Sequence, residues 1–100
     1  MEARIAIDRD EMALLCQRHE NRTLALFGSV LRDDFRPDSD VDVLVEFEPG
    51  ARLSLLDLVR VEQALAALLG RNVDLLERAA LRNPFRRREI LHNMEVVYAA

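Results

Sequence analysis

The sequence predicts an α/β fold, a small mixed β-sheet covered by helices, on three observations. Val41, Val43, Val45 and Phe47 alternate with Asp40, Asp42, Leu44 and Glu46, the period-2 pattern of a strand with one apolar face. Apolar residues at helical spacing flank that strand on both sides, in Met12–Cys16 and again in Leu55–Leu69. At 100 residues, half of them apolar and only 3 each Gly and Pro, the chain has material for one core and is expected to form a single domain over 1–100.

The elements follow in order. Asp8 with Glu11 has capping-box spacing and opens a helix through Met12, Leu14, Leu15 and Cys16 to about Glu20. Thr23 to Phe27 reads as an apolar strand that stops at Gly28-Ser29. The polar stretch from Arg32 to Ser39, broken by Pro37, reads as a loop after at most one helical turn. The alternating strand then runs from Val41 to Phe47, and Pro49-Gly50 ends it. Ser54 caps a helix to about Leu69 with a stripe of Leu55, Leu58, Val59, Leu65 and Leu69, and Gly70 stands where a C-terminal cap belongs. A strand from Asn72 to Leu76 follows, Asn83-Pro84 opens a last helix through about His92, and Val96 to Tyr98 closes the sheet as an edge strand. The predicted order is α-β-β-α-β-α-β.

Composition removes several functions. A net charge of −4 argues against bulk nucleic-acid binding through a basic surface. All 14 basic residues are Arg, so the G-K-[ST] phosphate loop, the kinase lysine and Schiff-base catalysis are excluded for want of an ammonium group. The single cysteine, Cys16, has no internal disulfide partner and sits among apolar helix residues, which fits a reducing cytoplasm. Charges at Glu2, Arg4, Asp8, Arg9 and Asp10 and the lack of a long apolar run argue against secretion or membrane insertion.

Asp40 and Asp42 lie two apart on a strand, so both side chains leave one face, their backbones roughly 7 Å apart. Two carboxylates about 5 Å apart repel by roughly 3 kcal/mol at an effective dielectric near 20. A divalent cation resolves that conflict, and two carboxylates with waters and phosphate oxygens suit Mg²⁺. A calcium loop counted from Asp38 fails by register, because its sixth position is Val43 rather than Gly and its twelfth is Pro49 rather than Glu. Upstream, a strand running into Gly28-Ser29 offers backbone N–H groups and a hydroxyl to an anion, with Gly allowing close approach of phosphate. Either signal alone is weak, D-x-D being common on solvated strand faces; together, with ten residues between them, they are specific. Ser29 as a hydrolase nucleophile is excluded by the lack of G-x-S-x-G around it, and His19 and His92 fall in helical contexts. Ser39 is expected to organise its loop.

The stretch LALFGSVLRDDFRPDSDVDVLVEF, Leu24 to Phe47, resembles the palm motif of the DNA polymerase β nucleotidyltransferase superfamily, in the form found in minimal nucleotidyltransferases of prokaryotes. The resemblance implies a palm-like nucleotidyltransferase fold and ATP as substrate. It makes Asp40 and Asp42 the ligands of two Mg²⁺ ions and Gly28 and Ser29 the seat of the triphosphate. It makes Asp74, in Asn72-Val73-Asp74-Leu75-Leu76, the third carboxylate, which binds metal and accepts the proton of the attacking hydroxyl. Arg32, four residues after Gly28, matches an arginine of the minimal forms and is expected on phosphate, against the plainer reading of a surface pair with Asp33 or Asp34.

Members of the resembling family are commonly paired with a HEPN-type protein, a helical ribonuclease toxin, and act as antitoxin by transferring AMP from ATP to a tyrosine of that partner. The resemblance therefore implies a cytoplasmic hetero-oligomer in which the partner supplies the acceptor hydroxyl. Two alternatives stand beside it: nucleotidyl transfer to a small molecule, and non-catalytic neutralisation by binding. Arg86, Arg87 and Arg88 lie in the first turns of the last helix, where the helix dipole favours acids. They read either as solvated arginines pairing with residues such as Glu89 or as a surface for an acidic patch on the partner.

Overall fold

A computed structural model describes residues 5–33 and 35–100; Glu2, Arg4 and Asp34, weighed above, lie outside the described residues. The elements appear in the predicted order: α1 (Arg9–Arg18), β1 (Asn21–Phe27), β2 (Val41–Phe47), α2 (Leu55–Leu69), β3 (Val73–Glu77), α3 (Pro84–Asn93) and β4 (Glu95–Ala99). Single turns of 3-10 helix at Gly28–Leu31 and Arg78–Ala80 join them.

The strands form one mixed sheet in the order β3-β2-β1-β4. β1 runs antiparallel to both β2 and β4, while β2 and β3 are parallel and are joined by the α2 crossover that parallel neighbours require. Alternation along β1 feeds two apolar layers. Leu24 and Leu26 pack with Met12, Leu15 and Cys16 of α1, Val61 and Leu65 of α2, and Val41, Val43 and Val45 of β2. Ala25 and Phe27 face the other way and pack with Leu44, Leu81 and Ile90 of α3.

That second layer corrects the reading of β2 as a strand with one apolar face, because Leu44, in register with Asp42 and Glu46, is buried beneath α3. Two helix stripes are corrected as well. Leu55 is 78 % exposed and Val59 41 %, so the start of the stripe at helical spacing along α2 is not on the face that α2 buries. At 100° per residue Val59 lies about 160° and Leu55 about 120° around the helix from Val61, whereas Leu65 lies only about 40° away. The sheet contacts the Val61–Leu65 side. Leu14 is exposed for the same reason, about 160° from the buried Met12.

Local chemistry sets the helix ends. Asp8 accepts from the N–H groups of Asp10 and Glu11, and Asn83 from those of Phe85 and Arg86. Ser54 forms a full capping box: its hydroxyl accepts from the Asp57 N–H at 3.3 Å, and the Asp57 carboxylate accepts from the Ser54 N–H at 2.8 Å. Gly70 ends α2 at φ +68°, a left-handed conformation that favours glycine. Ser54→Ala is expected to lower stability by about 1 kcal/mol, read as a lower midpoint at unchanged m-value in urea unfolding. Burial raises the Cys16 thiol to about 11 against a smaller opposing effect of a hydrogen bond from Asn21, so the thiol stays protonated in the core, as its apolar setting predicts. No helix among the described residues is long and apolar enough to cross a membrane.

Candidate active site

The α3-facing side of the sheet carries the predicted site at one end. β1 ends at Phe27, the chain turns through Gly28–Leu31, and β2 begins beside it, so that Phe27 and Asp42 are antiparallel register partners. Gly28 takes φ +76°, and a Cβ there would overlap Oδ2 of Asp42 and stand 3.3 Å from its Cγ. Glycine is thus demanded twice, by the backbone conformation and by the carboxylate against it. Gly28 and Ser29 open the short turn, and the first amides of such a turn have no acceptor within it. Arg32 closes it, its N–H donating to the Ser29 carbonyl at 2.9 Å.

The parallel β2–β3 register sets Asp42 opposite Asp74, two residues before the apolar pair Leu44 and Leu76. Asp40, two residues before Asp42, shares its strand parity and lies exposed at the mouth of β2. Asp42 itself is half-buried. Its pKa is raised, first by burial and then by the negative charges of Asp74 and Asp40; the guanidinium groups of Arg32 and Arg86 act in the opposite direction. Asp42 is therefore the electrostatic centre of a group comprising Asp40, Asp74, Arg32 and Arg86. Among the described residues, no three acidic, histidine or cysteine side chains are already gathered at metal-ligand spacing. The donor set nonetheless suits Mg²⁺, which takes a few carboxylates and fills its octahedron with water and substrate phosphate rather than an all-protein cage.

A cleft of about 290 Å³ opens between the Gly28 turn and α3, lined by Phe27, Gly28, Leu31 and Arg32 on one side and Glu89, Ile90 and Asn93 on the other. A nucleotide seated on the turn would thus lie under α3.

The loop between the glycine turn and Asp40 is held from outside. Ser39 accepts from the Arg36 N–H at 3.1 Å, the organising role expected of it. Arg71, just beyond the end of α2, donates to the carbonyls of Arg36 at 3.2 Å and Pro37 at 3.0 Å and lies 4.7 Å from the Phe35 ring centroid. Arg71→Ala should cost about 1–2 kcal/mol and lower transfer activity several-fold through a looser Asp40, measured by thermal melting and initial rates.

The structure thus brings Gly28, Arg32, Asp40, Asp42 and Asp74 to one end of the sheet, with Ser29 next to Gly28 in the turn. His19 caps the C-terminal end of α1, and His92 lies in the last turn of α3. Sequence reasoning missed the part played by Arg86 and Arg71. Arg86 had one readable signal, an arginine in a first helical turn where the dipole disfavours it; Arg71 had none, since its partners are backbone carbonyls.

Comparison with known proteins supports this reading. Residues 13–97 match the family model described as nucleotidyltransferase domain. The protein adenylyltransferase MntA of Thermococcus cleftensis is 42 % identical over 69 residues, 69 % of this chain and 68 % of that protein. MJ1217 of Methanocaldococcus jannaschii, described as a candidate protein adenylyltransferase, is 34 % identical over 83 residues, 82 % of each chain. A solved structure of a candidate minimal nucleotidyltransferase is 41 % identical and superposes with a TM-score of 0.70 over 87 % of this chain and 86 % of that one. A crystal structure of a toxin–antitoxin complex with AMP-PNP shares the fold at 18 % identity, with a TM-score of 0.72 over 94 % of this chain and 75 % of that one. From the glycine turn against Asp42, the facing Asp74 and a family match over 13–97, the chain belongs to the nucleotidyltransferase domain family and is a nucleotidyltransferase.

Proposed function

We propose that this chain, acting as a single cytoplasmic domain over 1–100, is a Mg²⁺-dependent protein adenylyltransferase that transfers AMP from ATP to a tyrosine hydroxyl of a HEPN-type toxin and so serves as its antitoxin. The observation that carries the reading is Asp42, half-buried against the Gly28 turn with Asp40 and Asp74 as like-charged neighbours. Relatives named protein adenylyltransferases support the reaction, and the toxin–antitoxin complexes of the same fold support the partner.

In this reading Gly28, Ser29 and Arg32 seat the triphosphate, and Asp40, Asp42 and Asp74 hold the metal. Bound Mg²⁺ would supply Lewis-acid stabilisation of the charge that develops on the phosphates. The acceptor oxygen attacks the α-phosphorus in line, the bond from that phosphorus to the bridging oxygen of the β-phosphate breaks, and pyrophosphate leaves. The proton of the hydroxyl passes to Asp74, an exposed carboxylate opposite Asp42 that is suited to meet a hydroxyl arriving from outside. The partner supplies that hydroxyl, as the toxin–antitoxin complexes of the same fold suggest.

Incubating the protein with ATP labelled at the α-phosphate, Mg²⁺ and the product of the neighbouring reading frame should put label on a tyrosine of that product, with none in EDTA. Label transferred only to a small molecule would overturn the choice of acceptor. Equal suppression of toxicity by wild type and the Asp40→Ala/Asp42→Ala variant would make binding, not catalysis, the function.

A further inference from the structure

The arginines at the start of α3 lie outside both the glycine turn and the three carboxylates. Asn83 caps α3 and Pro84 occupies its first turn, so Arg86 stands at the third helical position, where the positive end of the dipole penalises a cation. α3 anchors on the sheet through Ile90, buried in the layer that contains Phe27 and Leu44. Residues 86, 89, 90 and 93 share one face of a helix by 3.6-residue spacing. Three of them, Glu89, Ile90 and Asn93, line the cleft opposite Gly28 and Arg32. Arg86 is one turn earlier on that face, just beyond the residues that line the cleft. Arg87 points elsewhere, into a groove with Glu46, Glu77 and Arg78.

We infer that Arg86 is a substrate-binding residue that reaches from α3 across the cleft to the β- and γ-phosphates of a nucleotide seated on the Gly28 turn. Arg32 and Arg86 then approach the phosphate chain from opposite walls, one from the turn and one from the helix. A guanidinium, planar and always charged, suits this task and has no lysine to share it, since the chain contains none. The inference rests on the nucleotide site proposed above and adds a residue from an element outside the glycine and aspartate motif.

The test is calorimetric binding of AMP, ADP and ATP, each with Mg²⁺, to wild type, Arg86→Gln, Arg86→Lys and Arg87→Gln. For Arg86→Gln the expected result is about a 10-fold loss of ATP affinity, a similar loss for ADP and an unchanged AMP affinity, with partial recovery in Arg86→Lys and none of these effects in Arg87→Gln. Equal ATP affinity in Arg86→Gln and wild type overturns the inference, and so does a loss that is the same for AMP and ATP, which would mark a structural role. Thermal melting of each variant separates unfolding from lost contact. Should wild type bind ATP but transfer AMP to no protein, the proposed function fails while the Arg86 comparison still stands or falls on its own.

Discussion

Asp42→Asn is expected to abolish nucleotidyl transfer, with a loss on the order of 10³-fold or more in kcat/KM, while leaving the metal-free fold at least as stable as wild type at neutral pH. The two halves of that result come from one cause. Asp42 is a charge held half-buried beside Asp74 and Asp40, an arrangement that serves a cation and phosphate but costs stability without them. Its folded-state pKa is raised above the ordinary value for Asp. Between the unfolded value near 4 and the folded one, the folded state binds more protons, so stability falls as pH rises through that interval, and the deficit is complete above it. The amide of Asn carries no such penalty. The stability gap between Asp42→Asn and wild type should therefore be small near pH 4 and widen to a plateau toward neutrality, as denaturant unfolding without metal across that range will show. A destabilised Asp42→Asn at pH 7, or one that retains activity, would contradict the site as described.

Gly28→Ala should be the most damaging of the three glycine-to-alanine changes in the chain. The added Cβ falls on the Asp42 carboxylate, and φ +76° is a conformation that costs an L-residue about 1–2 kcal/mol. Either the carboxylate swings away or the turn shifts. Both move the phosphate seat relative to Asp42, and a displacement near 1 Å in a transfer site costs about 100-fold in rate. We expect a loss of about 1–3 kcal/mol in stability together with about 100-fold in kcat/KM. Gly70→Ala provides the contrast: its φ of +68° is equally unfavourable, but no heavy atom lies within 4 Å of its Cβ position, so stability should fall without a comparable loss of activity. Chemical denaturation and initial-rate kinetics on the two variants separate backbone strain from the steric conflict at the site.

These comparisons also show which parts of the molecule were legible in the sequence. Asp8, Ser54 and Asn83 announced the starts of α1, α2 and α3 and Gly70 the end of α2, because a cap acts on N–H groups and carbonyls only a few residues away. The alternating strand and the order of all seven helices and strands were likewise written in short windows of chain. The Gly28-Ser29 and Asp40-x-Asp42 motif was readable because its residues flank the adjoining ends of one antiparallel pair, Gly28 and Ser29 just after β1 and Asp40 and Asp42 at the start of β2.

What the sequence did not disclose depends on which long-range surfaces meet. Leu44 sits in the polar register of β2 and is buried only because α3 covers that face, while Leu55 and Val59 are apolar and stay exposed because α2 meets the sheet along the Val61–Leu65 strip. Arg71 acts on carbonyls 34 and 35 residues earlier, a contact with no compositional signature. The elements, their order and the acidic strand beside a glycine turn follow from interactions among near neighbours and so were present in the chain's local patterns. Long-range packing alone set Asp74 opposite Asp42 across a parallel register, put the Asp42 carboxylate in the space a side chain at residue 28 would need, and held the Phe35–Pro37 loop under Arg71. Those three contacts join segments distant in the chain, and distant segments are brought together by sheet order and layer packing, which no local pattern encodes.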